Sequence, residues 1–130
     1  IGQSSNVLVY NQSIQEAINT TATMYFTSSS SDNYMQDIIL RNKMDFRTGT
    51  LKGRGIALWD QGNKNIYKNV KLQSNQDTYY SGNVIRSYFE NCDIHGTVDF
   101  LCGGGDIFFN ECLIYLEERS GNVSKYYKSN

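Results

Sequence analysis

The chain has 130 residues, of which 39% are apolar and 19% charged, and its 12 basic and 13 acidic side chains give a formal net charge of -1. That length and mixture predict one domain spanning 1–130 and exclude a disordered tail. The near-neutral balance leaves no basic footprint for nucleic acid. No run of about 18 apolar residues is present, so no membrane-spanning helix is expected.

No signal-peptide pattern is read in the opening residues, and the chain opens on Ile1 rather than Met. We expect a processed or trimmed piece of something longer. Proline is absent, glycine occurs 11 times, and aromatics reach 13%, mostly Tyr. Short strands joined by Asn/Gly/Ser turns give such a profile; a helical bundle does not. In chain order, Ser13 to Ile18 has the pattern of a single helical turn. Ala22 to Phe26 reads as a strand of an early coil, with Ser28 to Ser31 as the loop after it.

Four later segments repeat one another: Tyr34–Leu40, Ile66–Leu72, Tyr88–Ile94 and Phe108–Ile114. Each runs large apolar, aromatic or Met, polar, Asp/Asn/Glu, small apolar, variable, aliphatic. The small apolar column is Ile38, Val70, Cys92 and Cys112. The aliphatic column is Leu40, Leu72, Ile94 and Ile114. Columns two residues apart share one face of a strand. The acidic or amide column, Asp37, Asn69, Asn91 and Glu111, sits where a polar side chain bonds turn backbone.

The repeats step by 32, 22 and 20 residues, and the longer step predicts an inserted loop over Arg47 to Arg54. These spacings fit coils of a β-solenoid whose strands pair in parallel. A β-sandwich is the competing architecture, but the Asn-Gly and Asp-Gly hairpin signals are missing. The expected fold is therefore all-β: a right-handed parallel β-helix, incomplete and open at its ends. Open coil ends are unpaired strand edges and invite end-to-end association.

Asp77 and Asp99 each follow the small apolar column by seven residues, which puts them one coil apart in one column. Neighbouring strands lie about 4.7–4.9 Å apart. Two carboxyl groups that close titrate as a coupled pair, with one pKa raised. A proton donor and a nucleophile need that arrangement. Turn aspartates at solenoid corners are the plain structural alternative. Asp45 and Arg119 fall in the same nominal column. Gln76 adds an amide donor beside Asp77. Tyr79, Tyr80, Phe100 and Trp59 are candidates to offer flat faces to sugar rings, or equally to fill the core. Gly103 to Gly105 is not a phosphate loop, since no Lys-Ser/Thr follows it. His95 alternates outward between Ile94 and Gly96 and reads as a surface histidine. One His with scattered Cys does not make a metal site. Cys92 and Cys112 read as stacked buried thiols, with a disulfide between them as the alternative. Cys102 reads as a packed thiol near the site. The sequons at Asn11, Asn19 and Asn122 are no more than chance supplies.

At these residues the chain resembles the pectinesterases. The resemblance rests on Gln76-Asp77-Thr78-Tyr79 and on Gly96-Thr97-Val98-Asp99-Phe100-Leu101-Cys102-Gly103, with support from Gly55-Ile56-Ala57-Leu58 and Asn110-Glu111-Cys112. It runs from about Tyr34 to Arg119. It implies a right-handed parallel β-helix that hydrolyses methyl esters of polygalacturonate, without metal or organic cofactor, in an extracellular or periplasmic setting. It implies Asp99 as nucleophile, Asp77 as general acid and then base, and Gln76 as oxyanion donor. Two departures accompany it. Arg54 stands where the family has the glutamine of Q-A-V-A-L. The family's L-G-R-P-W segment, whose arginine holds the nucleophile ionised, is absent; Arg119 is a candidate substitute. The competing functions are a noncatalytic or inactive β-helix that binds acidic polysaccharide, and a glycoside hydrolase on the same scaffold.

Overall fold

The computed structural model describes residues 21–43 and 54–117, together with the backbone of 7–10. The expected helical turn at Ser13–Ile18, nearly all of the loop insertion, Asp45, Arg119 and the three sequons lie outside the described residues. In chain order the described strands are β1 (Val7–Tyr10), β2 (Met24–Phe26), β3 (Tyr34–Gln36), β4 (Ile39–Asn42), β5 (Leu58–Asp60), β6 (Asn65–Lys68) and β7 (Lys71–Gln73). They continue as β8 (Tyr79–Ser81), β9 (Arg86–Glu90), β10 (Asp93–Gly96), β11 (Leu101–Cys102), β12 (Asp106–Asn110) and β13 (Leu113–Leu116).

The strands sort into three sheets by every third element. The first holds β2, β5, β8 and β11; the second β3, β6, β9 and β12; the third β1, β4, β7, β10 and β13. Every pairing is parallel, so the chain winds as a parallel β-helix and not as a sandwich. The early coil expected at Ala22–Phe26 is present, since β2 pairs with β5 through Met24↔Leu58.

The corner between the second and third sheets explains the polar column. Asp37, Asn69, Asn91 and Glu111 all adopt left-handed backbone, with φ of 55, 51, 53 and 53°. One such residue reverses the pleat in a single step, and Asp and Asn tolerate this region better than most side chains. Their amides stay in the ladder: Asp37 N donates to Lys68 O at 3.1 Å and Asn69 N to Glu90 O at 3.0 Å. The Asn69 side chain also donates to Asp37 Oδ1 at 2.6 Å, tying one corner to the next.

Inside the coil, both apolar columns are core. Leu40, Leu72 and Ile94 are fully buried, and Val70, Cys92 and Ile38 nearly so. Each such aliphatic side chain contributes about 1.5–3 kcal/mol by leaving water. The second position of the repeat, Met35, Tyr67, Phe89 and Phe109, points inward as well. Tyr67 stacks on Phe89 at 4.5 Å, and Phe89 meets Phe109 at 5.1 Å. The first position faces out: Tyr34, Ile66 and Phe108 are all exposed.

A charged residue also sits in this core. Asp60, fully buried at the end of β5, accepts from Asn65 Nδ2 (2.6 Å), Tyr67 OH (2.8 Å), Tyr79 OH (3.1 Å), Ser87 Oγ (2.7 Å) and Gly62 N (3.2 Å). Five donors around one carboxylate compensate for its desolvation. Burial, reinforced by the Asp60 charge, pushes the Tyr67 and Tyr79 hydroxyls well above the usual phenol range, so both remain donors.

Candidate active site

The turns from the third sheet back to the first carry the two aspartates. Asp77 precedes β8 by two residues, and Asp99 precedes β11 by two. Leu101 pairs with Tyr79, Tyr79 N donates to Phe100 O at 2.9 Å, and Asp77 N donates to Val98 O at 3.1 Å. The two acids therefore occupy equivalent positions on successive coils, as the spacing predicts. Both are left-handed, with φ of 57° at Asp77 and 45° at Asp99. Aspartate tolerates this region better than most side chains, and the corner residues Asp37 and Asn69 share it, so the conformation suits a turn.

The surrounding turn fixes them. Thr97 N and Thr97 Oγ1 both donate to Asn75 O, at 2.6 and 2.9 Å. Thr78 Oγ1 donates to His95 O at 2.9 Å. Gly96 is required where it stands: a Cβ there would collide with the Phe100 side chain and with Thr78 Oγ1. Gly103, at φ 117°, presses against the Ser81 backbone on the other side of β11.

The two carboxyl groups have different environments. Asp77 is buried, whereas Asp99 is exposed. Burial raises the Asp77 pKa above the ordinary carboxylate value, and the nearby Asp99 charge adds to this. Arg54 and a hydrogen bond from the Gln76 side chain pull in the opposite direction without cancelling the rise. Arg54 Nε lies 3.1 Å from Asp77 Oδ2. The cation that replaces the expected glutamine is thus part of the site, held against the acid. Sequence reading identified the substitution but not its partner.

The four aromatic candidates separate. Tyr80 and Trp59 lie half-buried on the outer face of the first sheet, where Tyr25, Trp59, Tyr80 and Cys102 are in register. Trp59 stacks on Tyr25 at 4.1 Å with planes 16° apart, and Tyr80 follows at 6.1 Å. Trp59 Nε1 is buried without a hydrogen-bond partner among the described residues. Phe100 is half-buried and packs on the core beside Gly96. Tyr79 is in the core, with its hydroxyl on Asp60, and presents no face for a sugar ring. The strand pleat accounts for this: Tyr79 and Tyr80 are adjacent and must point to opposite faces.

Cys102 borders the pair and stays a neutral thiol. Burial pushes its pKa to about 12, and the Asp77 and Asp99 charges contribute to the rise. His95 points outward as expected but is not freely exposed. Its ring lies 5.1 Å from Tyr115, and Nδ1 is 3.0 Å from Glu117 Oε1. Cys92 and Cys112 are free thiols on neighbouring coils, and burial raises the Cys92 pKa to about 11. Among the described residues, no group of three His, Cys, Asp or Glu is placed to hold a metal.

The fold is a parallel β-helix that carries two aspartates at the same turn of consecutive windings, and comparison with known proteins gives its family. The family model described as Pectinesterase matches residues 1–126, and the chain belongs to the pectinesterase family. It is similar to a pectinesterase of Ralstonia solanacearum, 43% identical over 72 residues, which covers 51% of this chain and 18% of that protein. A probable pectinesterase/pectinesterase inhibitor of Arabidopsis thaliana is 27% identical over 114 residues, covering 88% of this chain and 20% of that protein. The chain therefore spans about a fifth of these curated relatives. Among solved structures, a pectin methylesterase from Yersinia enterocolitica superposes with TM-score 0.80 at 28% identity, covering 88% of this chain and 42% of that one. A pectin methylesterase in complex with a hexasaccharide superposes with TM-score 0.73 at 27% identity, covering 85% and 37%. The expected right-handed parallel β-helix is the fold observed.

Proposed function

We propose that this chain carries the working carboxyl pair of a pectin methylester hydrolase, acting on methyl-esterified polygalacturonate outside the cytoplasm. The observation that supports this reading is the asymmetry of the pair: a buried Asp77 with a raised pKa directly one coil from an exposed Asp99. Two carboxyl groups whose environments differ in this way suit different halves of one reaction.

Asp99, open to solvent, is the nucleophile. Its carboxylate oxygen adds to the ester carbonyl at C6 of a galacturonate, and the Gln76 amide donates to the oxyanion that forms. As the carbon–oxygen bond to the methoxy group breaks, Asp77 gives its proton to the departing oxygen, and methanol leaves. The resulting anhydride with Asp99 is opened by water, whose proton Asp77 takes up. Trp59 and Tyr80 form a ladder with Tyr25 on the outer face of the first sheet, in which Tyr25 covers a face of Trp59, so these rings meet a sugar by their outward edges. The hexasaccharide complex of the related methylesterase supports an extended polymer as ligand.

Methanol release from methylated pectin, followed together with polymer length, tests the assignment. Release without chain shortening is expected, abolished by Asp99→Ala with the thermal melt intact. Chain shortening would favour a glycoside hydrolase. Wild-type methanol release by Asp99→Ala would refute the nucleophile.

A further inference from the structure

Asp77 meets two charges of opposite sign. Asp99 follows one coil later, and Arg54 reaches it from the coil before. The backbone at Arg54 is tied to the turn that carries Asp77, because Gly55 N donates to Gln76 O at 3.2 Å and Ser74 Oγ donates to Gly55 O. The Arg54 side chain is 57% exposed while that of Asp77 is 7% exposed, so the guanidinium approaches from the solvent side and covers Oδ2.

The proposed reaction asks Asp77 both to release a proton and to take one back. A buried carboxyl facing a second carboxylate holds its proton too firmly for the first task. A guanidinium is charged at every working pH, and here it is placed to offset that effect. We propose that Arg54 is a positioning residue for Asp77: its Nε fixes the orientation of the carboxyl group, and its charge stabilises the carboxylate left when the proton departs with methanol. The proton passes from Asp77 to the methoxy oxygen as the ester bond breaks in the tetrahedral adduct that Asp99 has already formed at the acyl carbon. Water then adds to that carbon, its proton returns to Asp77, and the Asp99 carboxylate is released. Water is the only co-reactant. This inference rests on the esterase reading, but the contact it invokes is measurable without turnover.

The experiment is a pH titration of the Asp77 carboxyl carbon by NMR in wild type, Arg54→Gln and Arg54→Lys, paired with the pH profile of kcat/KM for methanol release. Arg54→Gln keeps a donor and removes the charge. Its Asp77 midpoint should rise by about one unit, the low end of the one to three units an adjacent cation supplies, because Arg54 is largely exposed. The free enzyme needs Asp77 protonated, so the alkaline limb of kcat/KM should move up by the same amount. Arg54→Lys should fall between wild type and Arg54→Gln in both readouts. An unchanged midpoint in Arg54→Gln overturns the proposal whatever the activity. A shifted midpoint with an unmoved limb also overturns it. Absence of methanol from the wild type at every pH overturns the esterase reading instead, while the titration still reports on the contact.

Discussion

Asp60 offers the most demanding test of how this coil is held together. Its carboxylate is fully buried and accepts five hydrogen bonds, two at Oδ1 and three at Oδ2. Asp60→Ala strands all five donors in the core. At about 1 kcal/mol for each orphaned donor, the low end of the usual range, the loss is about 5 kcal/mol. That equals the whole stability of a marginal domain, so the variant should not fold. Asp60→Asn is gentler. An amide placed at the Oδ2 side meets hydroxyls of Tyr67, Tyr79 and Ser87, which rotate to accept. It has only two hydrogens for three hydroxyls, and its remaining oxygen is neutral. Relief of the buried charge offsets part of the loss. The expected cost is about 2–3 kcal/mol, read as a fall of about 1 M or more in the urea midpoint. Tyr67→Phe and Tyr79→Phe, each removing one donor and leaving the carboxylate several others, should cost about 1 kcal/mol apiece. A folded Asp60→Ala with the wild-type midpoint would refute the reasoning, as would an Asp60→Asn variant indistinguishable from wild type.

Three further outcomes concern the turn of the acid pair and the core beneath it. The Asp77 pKa is raised by burial, so its favourable contribution is complete below the ordinary carboxylate value and is lost as pH rises through the folded-state value. Asp77→Asn should therefore melt higher than wild type at pH 7, with the gap closing on acidification to about pH 3; a lower melt at pH 7 would contradict this. Gly96→Ala forces a Cβ onto Phe100 and Thr78 and should cost about 1–3 kcal/mol in thermal or urea unfolding while displacing the turn of Asp99. Methanol release at the wild-type rate in Gly96→Ala would show that the turn tolerates the shift. Val70→Asp puts an unpaired charge into a nearly fully buried column and should prevent folding, as circular dichroism would report; an unchanged spectrum and melt would place that column outside the core.

The fold was legible because stacking repeats the same physical demand every coil. Leu40, Leu72 and Ile94 solve one packing problem three times, so a column is visible without an alignment. The corner residues Asp37, Asn69 and Asn91 are legible for a similar reason: left-handed backbone favours a small set of side chains. The alignment of Asp77 with Asp99 follows from the same period. Asp60 was hidden because it occurs once, and its donors come from β6, β8 and β9 and from residues up to 27 positions away. The ion pair of Arg54 with Asp77 was hidden because it spans 23 positions and starts from the insertion that breaks the repeat. The exposure of Tyr34, Ile66 and Phe108 shows the opposite limit. Apolar identity alone does not say which face of a strand a residue takes, and Tyr79 against Tyr80 makes the same point at the site.

The measurement closest to the centre of this account is the titration of the Asp77 carboxyl carbon in wild type and in Asp99→Asn. If the winding brings the two acids together, removing the charge at residue 99 lowers the midpoint of residue 77 toward the ordinary carboxylate range. A midpoint that does not move would mean that the two groups do not sense one another, and the paired-carboxyl chemistry would lose its basis.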